Sequence, residues 1–282
     1  MNGQSQVLPS GGHASREGIN MAAAPRTVLI SGCSSGIGLE LAVQLAHDPK
    51  KRYQVVATMR DLGKKETLEA AAGEALGQTL TVAQLDVCSD ESVAQCLSCI
   101  QGEVDVLDPQ RALLLTLTGV IFNDVYAASK FALEGFFESL AIQLLQFNIF
   151  ISLVEPGPVV TEFEGKLLAQ VSTAEFPGTD PDTLHYFRDL YLPASRELFR
   201  SVGQSPQDVV QAIVNVISSA RPPLRRQTNV RYSPLIMLKT VDSSGSLYVR
   251  TTHRFLFRCP RLLNLGLQCL SCGCLPTRVQ PR

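Results

Sequence analysis

The chain has 282 residues, 45% hydrophobic and 18% charged, which is enough apolar matter for one enzyme-sized core. The formal net charge of -1 conceals an asymmetry: Arg221 to Arg282 holds ten Arg and one Lys against a single acid, Asp242, so this tail carries about +10 and the rest about -11. No run reaches the eighteen or so uninterrupted apolar residues of a membrane span, and eight Cys without a secretory signal favour reduced thiols over a disulfide framework.

Residues 1–20 are rich in Gly, Ser, Gln and Asn and contain no apolar run, so a disordered leader is expected, with Met21 an alternative start to Met1. Thr27 to Ile30 has the pattern of a strand buried on both faces. It runs into Ser31-Gly32-Cys33-Ser34-Ser35-Gly36-Ile37-Gly38, and a helix is expected from Leu39 to His47, stopped by Asp48-Pro49. Strands at Tyr53–Met59, Leu80–Leu85 and Val104–Leu107 then alternate with helices at Gly63–Leu76 and Asp90–Gln101. This order predicts an α/β fold, a Rossmann-type doubly wound parallel sheet. Cys33, Cys88, Cys96 and Cys99 are expected to be structural.

After Leu107 the regularity breaks. Asp108-Pro109-Gln110-Arg111 follows where a buried strand should pass into its turn, and Ala112–Leu117 is a short strand-like run. A long helix is expected over Val125–Gln146, a strand over Ile149–Val154, and a turn at Glu155-Pro156-Gly157-Pro158. Thr161 to Gly203 is irregular and helical, and Pro206–Ser219 is an amphipathic helix. The domain limits are therefore 21–235, interrupted near 107–119, followed by a basic, Cys-rich tail over 236–282. No internal repeat is visible.

A strand that enters a glycine turn and then a helix aims backbone N–H groups and the positive end of a helix dipole at one point, where a pyrophosphate would sit. Gly32, Gly36 and Gly38 are spaced G-x3-G-x-G. A tight strand-to-helix turn also needs glycine for backbone reasons. Arg60 ends the second strand, where an acid would hold a ribose 2′-hydroxyl and an arginine suits a 2′-phosphate, so NADP(H) is favoured over NAD(H). A solvated surface arginine is the competing explanation. Asp86 ends the third strand and is a candidate acceptor for the adenine amino group, or a helix cap.

Tyr126 and Lys130 lie four residues apart near the start of the long helix, on one face. A free tyrosine, with a pKa of about 10, is a poor acid–base catalyst at neutral pH. A neighbouring ammonium favours the phenolate and brings the proton within reach of a carbonyl oxygen. A helix carrying Tyr and Lys one turn apart by chance is the competing explanation.

Taken in order, Ser31-Gly-Cys-Ser-Ser-Gly-Ile-Gly38, Leu85-Asp-Val87, Tyr126-Ala-Ala-Ser-Lys130 and Pro156-Gly-Pro158 leading to Thr161 resemble the short-chain dehydrogenases/reductases. Ser31 stands where that family usually has Thr. Cys33-Ser-Ser-Gly-Ile-Gly38, Ala57-Thr-Met-Arg-Asp61 and Val159-Val-Thr-Glu-Phe163 are similar to its photoreceptor retinol dehydrogenase and estradiol 17β-dehydrogenase branch, and the tail resembles the former. The resemblance covers Met21 to the C-terminus. It implies that Tyr126 is the general acid/base, that Lys130 holds the ribose and tunes Tyr126, that Thr161 contacts the nicotinamide carboxamide, and that Pro156 and Gly157 belong to the cofactor site. It also implies reduction of all-trans-retinal with NADPH, steroid oxidoreduction as a side activity, and a homodimer.

The family pattern also exposes a gap. Val104-Asp-Val-Leu107 should continue through an Asn-Asn-Ala-Gly turn and a long helix to a strand that bears a catalytic serine. Only Asp108 to Thr118 separates Leu107 from Gly119, whereas a strand–helix–strand portion needs roughly thirty residues. The serine position, thirteen before Tyr126, is Leu113. Thr116 and Thr118 are the nearby hydroxyls, and neither is assigned the role. Little or no activity is expected of such a chain.

In the tail, Phe255 to Cys269 mixes large apolar residues with Arg, as an interfacial segment does. Cys269, Cys272 and Cys274 are candidates for S-acylation. The expected location is the cytoplasmic face of membranes, with the cytosol second. A zinc knuckle at Cys-x-x-Cys-x-Cys needs Cys259 or His253 as fourth ligand, and no metal is expected. Nucleic acid is not an expected partner, because neither an aromatic–basic RNA motif nor zinc-finger spacing is present.

Overall fold

The computed structural model describes residues 24–100, 103–108 and 121–258. Strand β1 (Arg26–Ile30) leads into helix α1 (Gly36–Ala46) and β2 (Tyr53–Met59). Then come α2 (Glu66–Ala72), β3 (Leu80–Gln84), α3 (Asp90–Cys99) and β4 (Val106–Asp108). The long helix α4 (Asp124–Leu144) precedes β5 (Leu153–Glu155), and α5 (Glu162–Thr173), α6 (Pro181–His185), α7 (Leu192–Val202) and α8 (Pro206–Ile217) follow. Strand β6 (Arg225–Gln227), α9 (Ser233–Thr240) and α10 (Ser246–His253) close the described part. Helix α9 crosses residue 235, the limit expected for the domain.

Four strands form a parallel sheet in the order β3-β2-β1-β4. Side chains of β1 alternate between two cores, as a period of two requires. Val28 and Ile30 join a cluster with Leu41 and Leu45 of α1, Val55 of β2, and Val209, Val210 and Ile213 of α8. Leu29 faces the other way, onto Val56, Leu85 and Cys96. Both faces are covered over β1 and β2, but at β4 the face that carries Leu29 is open, with Leu107 61% exposed. Helix α8 starts at a capping box in which Ser205 and Asp208 satisfy each other's end of the first turn.

Among the described residues the second sheet holds β5 and β6, paired in parallel from Leu153–Arg225 to Glu155–Gln227. Among the described residues no strand joins β4 to β5, so the sheet is divided where the sequence breaks its order. The two parts still share apolar matter, because Val154 and Val159 belong to the cluster built on β1 and α8. The expected strand at Ala112–Leu117 lies outside the described residues.

Several boundaries differ from expectation. Helix α1 begins at Gly36, three residues early, because Gly36 at φ +64 completes the turn and the helix starts within the glycine segment. Strand β4 lies at Val106–Asp108 rather than Val104–Leu107. Strand β5 is confined to three residues, because its only partner among the described residues, β6, is itself three residues long. Around Gly63 the expected helix is a short 3-10 turn capped by Asp61, with α2 starting at Glu66.

Candidate active site

At the carboxyl end of β1 the chain turns through Gly32, at φ +74, and Gly36, at φ +64, backbone that residues with a side chain rarely adopt. The turn is held from beneath. The Ser31 N–H donates to the Asp108 carbonyl at 3.1 Å, and the Cys33 N–H to the Thr58 carbonyl at 2.9 Å. Cys33 is fully buried, its thiol donates to the Ile30 carbonyl at 3.3 Å, and burial pushes its pKa up to about 12. It is therefore a packed neutral thiol beneath the turn.

Above the turn the situation reverses. Gly32, Ser35 and Gly36 are exposed, and a Cβ placed on Gly36 would meet nothing within 4 Å. Helix α1 has no side-chain cap from Ser35 and no acid in its first turn, so its leading N–H groups face open space with their positive dipole end uncompensated. Ser34 and Ile37 are half-buried and Gly38 is buried against the core. This surface fits a pyrophosphate.

Arg60 is exposed immediately after β2, and its carbonyl accepts from the Gln84 amide at 3.0 Å. Asp86 lies two residues beyond β3. Its Oδ1 accepts from the Cys88 N–H at 3.0 Å and its N–H donates to the Ser92 hydroxyl, so it shapes the turn into α3. Ser89, not Asp86, caps that helix. The glycine turn, Arg60 and Asp86 all lie just past the carboxyl ends of β1, β2 and β3, where open α/β sheets bind ligands.

Tyr126 and Lys130 occupy the first two turns of α4. Tyr126 is 45% exposed, while Lys130 is buried and its Nζ lies 5.2 Å from the centroid of the Tyr126 ring. Burial lowers the Lys130 pKa. Pro156 and Gly157 are buried just after β5, and Thr161 is half-buried. Gly157 is small for a packing reason, since a Cβ there would come within 3.0 Å of Asn229 Nδ2 and 3.1 Å of Tyr232 Cβ. Leu113, Thr116, Thr118, Cys269, Cys272 and Cys274 lie outside the described residues.

Two groups were not anticipated from the sequence. Phe122, Phe176, Phe187 and Tyr191 form an aromatic cluster with ring centroids 5.3–5.6 Å apart, next to the first turn of α4. The Asn123 amide donates to the Tyr191 hydroxyl at 2.7 Å, which ties the cluster to that turn. The second is Arg225 of β6, whose guanidinium binds Glu134 and Glu138 of α4 and Glu155 of β5. Burial raises the Glu155 pKa, opposed by its bond to Arg225.

Among the described residues no helix is long and apolar enough to cross a membrane, and no group of three or more His, Cys, Asp or Glu is placed to hold a metal.

Comparison with known proteins bears on all of this. The short chain dehydrogenase family model matches residues 26–109 and 114–172. Human retinol dehydrogenase 8 is 78% identical over 311 positions, covering 93% of this chain and all of the relative, and the bovine protein of that name is 70% identical. Human 17-beta-hydroxysteroid dehydrogenase type 1 is 38% identical, covering 82% of this chain and 85% of the relative. Since 93% of 282 residues is about 262, about fifty of the 311 positions aligned with human retinol dehydrogenase 8 have no residue here. Among solved structures, the actinorhodin polyketide ketoreductase crystallised with NADPH superposes with a TM-score of 0.56 at 18% identity, over 73% of this chain and 96% of that one. A Streptomyces avermitilis short-chain dehydrogenase does so at 0.55 and 20%, over 82% and 98%. These two likenesses support the fold. Together with the strand order and the placement of Tyr126 and Lys130, the family match and the close relatives show that the chain belongs to the short-chain dehydrogenase family, in its retinol and estradiol dehydrogenase branch.

Proposed function

We propose that the chain is an NADP(H)-binding retinol dehydrogenase, built to reduce all-trans-retinal, whose turnover is impaired by a missing segment between β4 and α4. The observation that carries the activity is 78% identity across the whole length of human retinol dehydrogenase 8. The glycine turn and the open first turn of α1 receive the pyrophosphate, and Arg60 receives the 2′-phosphate that distinguishes NADP(H). Lys130 holds the ribose and stabilises the phenolate of Tyr126, which exchanges a proton with the substrate oxygen. When bound, the reduced nicotinamide supplies the hydride. The Phe122–Phe176–Phe187–Tyr191 cluster offers an apolar wall next to Tyr126 that suits a polyene or a steroid skeleton. Steroid oxidoreduction is the secondary activity, supported by the 38% identical relative.

The division of the sheet between β4 and β5 and Leu113 at the serine position support the impairment. Without an oriented hydroxyl opposite Tyr126 the rate falls by about a hundred- to a thousandfold. The test compares NADPH oxidation with all-trans-retinal by this chain and by one in which Asp108–Thr118 is replaced by the corresponding segment of human retinol dehydrogenase 8. Turnover at least a hundredfold higher in the restored chain is expected, and equal turnover contradicts the impairment.

The basic tail and Cys269, Cys272 and Cys274 support peripheral attachment to the cytoplasmic face of membranes through reversible acylation. Phe136 and Ile142, exposed on α4, support association of two copies.

A further inference from the structure

We infer that Arg225 is a positioning residue that fixes Tyr126 and Lys130 relative to the nicotinamide-lining segment after β5. The inference rests on the proposed function for the roles of those two regions. Helix α4 is poorly held by apolar packing. Among its described side chains only Ala127, Lys130, Glu134 and Ala141 are buried, whereas Val125, Phe136 and Ile142 are 85%, 60% and 73% exposed.

One guanidinium binds α4 to β5 and β6. Nη1 of Arg225 donates to Glu134 Oε2 and, at 2.7 Å, to Glu155 Oε1, while Nη2 donates to Glu138 Oε2 at 2.9 Å. Glu134 and Glu155 are 4% and 2% exposed.

Position makes this anchor relevant to the site. Lys130 and Glu134 are neighbours one turn apart on the buried side of α4, so the clamp grips the helix about 6 Å beyond Lys130. Glu155 is the last residue of β5 and is followed at once by Pro156 and Gly157. A single planar group therefore links the helix carrying the acid/base pair to the strand end that meets the nicotinamide. It does so where no strand of the described residues joins β4 to β5. An ammonium is a point charge and does not reproduce a fork that binds two elements at fixed angles.

The experiment measures the phenol titration of Tyr126 by tyrosinate absorbance, as the difference between each protein and its Tyr126→Phe counterpart, in the full chain without cofactor. Arg225→Lys keeps the charge and Glu138→Gln loosens only the exposed end, and thermal unfolding reports whether each is folded. In Arg225→Lys the titration midpoint is expected to rise by about one unit as Lys130 draws away, with a smaller rise in Glu138→Gln. If Arg225→Lys does not fold, Glu138→Gln decides alone. An unchanged midpoint in a folded variant of either kind overturns the inference. Because cofactor is absent, that outcome is separate from failure to bind NADPH, which bears on the proposed function.

Discussion

Nζ of Lys130 lies 5.2 Å from the ring centroid of Tyr126, one helical turn away, with the lysine buried and the tyrosine 45% exposed. The ammonium thus lies over the face of a ring that is itself partly exposed. This is the arrangement in which a cation tunes an acid without competing for substrate.

Burial of Lys130 has a cost in stability. Its pKa is lowered in the folded protein by desolvation, so the unfolded chain binds the proton more tightly. Stability contributed at this site therefore rises with pH between the lowered folded pKa and about 10.4, the unperturbed lysine value, and the penalty is largest below the folded pKa. Lys130→Met is expected to unfold at a higher temperature than the parent at pH 7, and the difference should vanish above pH 11. A lower unfolding temperature at pH 7 would show that the ammonium is well satisfied.

Gly36 tests the phosphate site. Its φ of +64 makes Gly36→Ala cost about 1–2 kcal/mol in backbone strain, and the new methyl meets no protein atom within 4 Å. It projects into the space assigned to the pyrophosphate. NADPH affinity, followed by fluorescence, is expected to fall at least tenfold while the fold persists in circular dichroism. Unaltered affinity places the phosphates elsewhere.

Arg60 sets the cofactor choice. Arg60→Asp is expected to reverse the preference between NADPH and NADH by about a hundredfold in competition titrations, because a carboxylate accepts from a 2′-hydroxyl and repels a 2′-phosphate. No change in the ratio would assign Arg60 to the solvated surface, where it is exposed.

Cysteine labelling reads the packing beneath the turn. Burial pushes the Cys33 pKa up to about 12, so its thiol stays neutral at pH 8, and the side chain is inaccessible. Iodoacetamide at pH 8 is expected to alkylate exposed Cys88 and Cys99 and to spare Cys33 and Cys96, as mapped by mass spectrometry. Labelling of Cys33 at the rate of Cys88 would mean that the turn opens.

Asp48 supplies an acid limit. It accepts from the N–H, Nε and Nη2 of Arg52, each at 2.9 Å, and the side-chain bond to Arg52 lowers its pKa to about 2. The stability it contributes is complete above its ordinary carboxylate value and is lost as pH falls through about 2. Asp48→Asn is expected to be less stable than the parent at pH 6 and equal to it below pH 2. A constant difference in urea midpoint across that range would exclude the link.

The first half of the fold is legible in the sequence because its signals are local. The Thr27–Gly38 segment encodes strand, turn and helix within twelve consecutive residues, and Tyr126 to Lys130 lie on one helix. Even there the start of α1 is misread, since Gly36 serves as both turn and first helical residue. The Arg225 clamp is hidden by distance, because its partners lie 91, 87 and 70 residues away. Glu134 and Glu138 look like an ordinary solvated i, i+4 pair, and only the buried Glu155 between Val154 and Pro156 is out of place. The aromatic cluster draws on four rings between Phe122 and Tyr191 whose spacing has no period. The break after Leu107 is legible because a doubly wound sheet has a fixed order, and the interruption of the family match between 109 and 114 falls in the same place.

Fluorescence titration of NADPH against the unmodified chain and against Lys130→Met tests most directly whether α1 and α4 form one dinucleotide site despite the divided sheet. Saturable binding by the unmodified chain, weakened at least tenfold by the substitution, is expected, since an ionic hydrogen bond contributes about 1.5–3 kcal/mol. Binding that does not saturate, or that Lys130→Met leaves untouched, contradicts it.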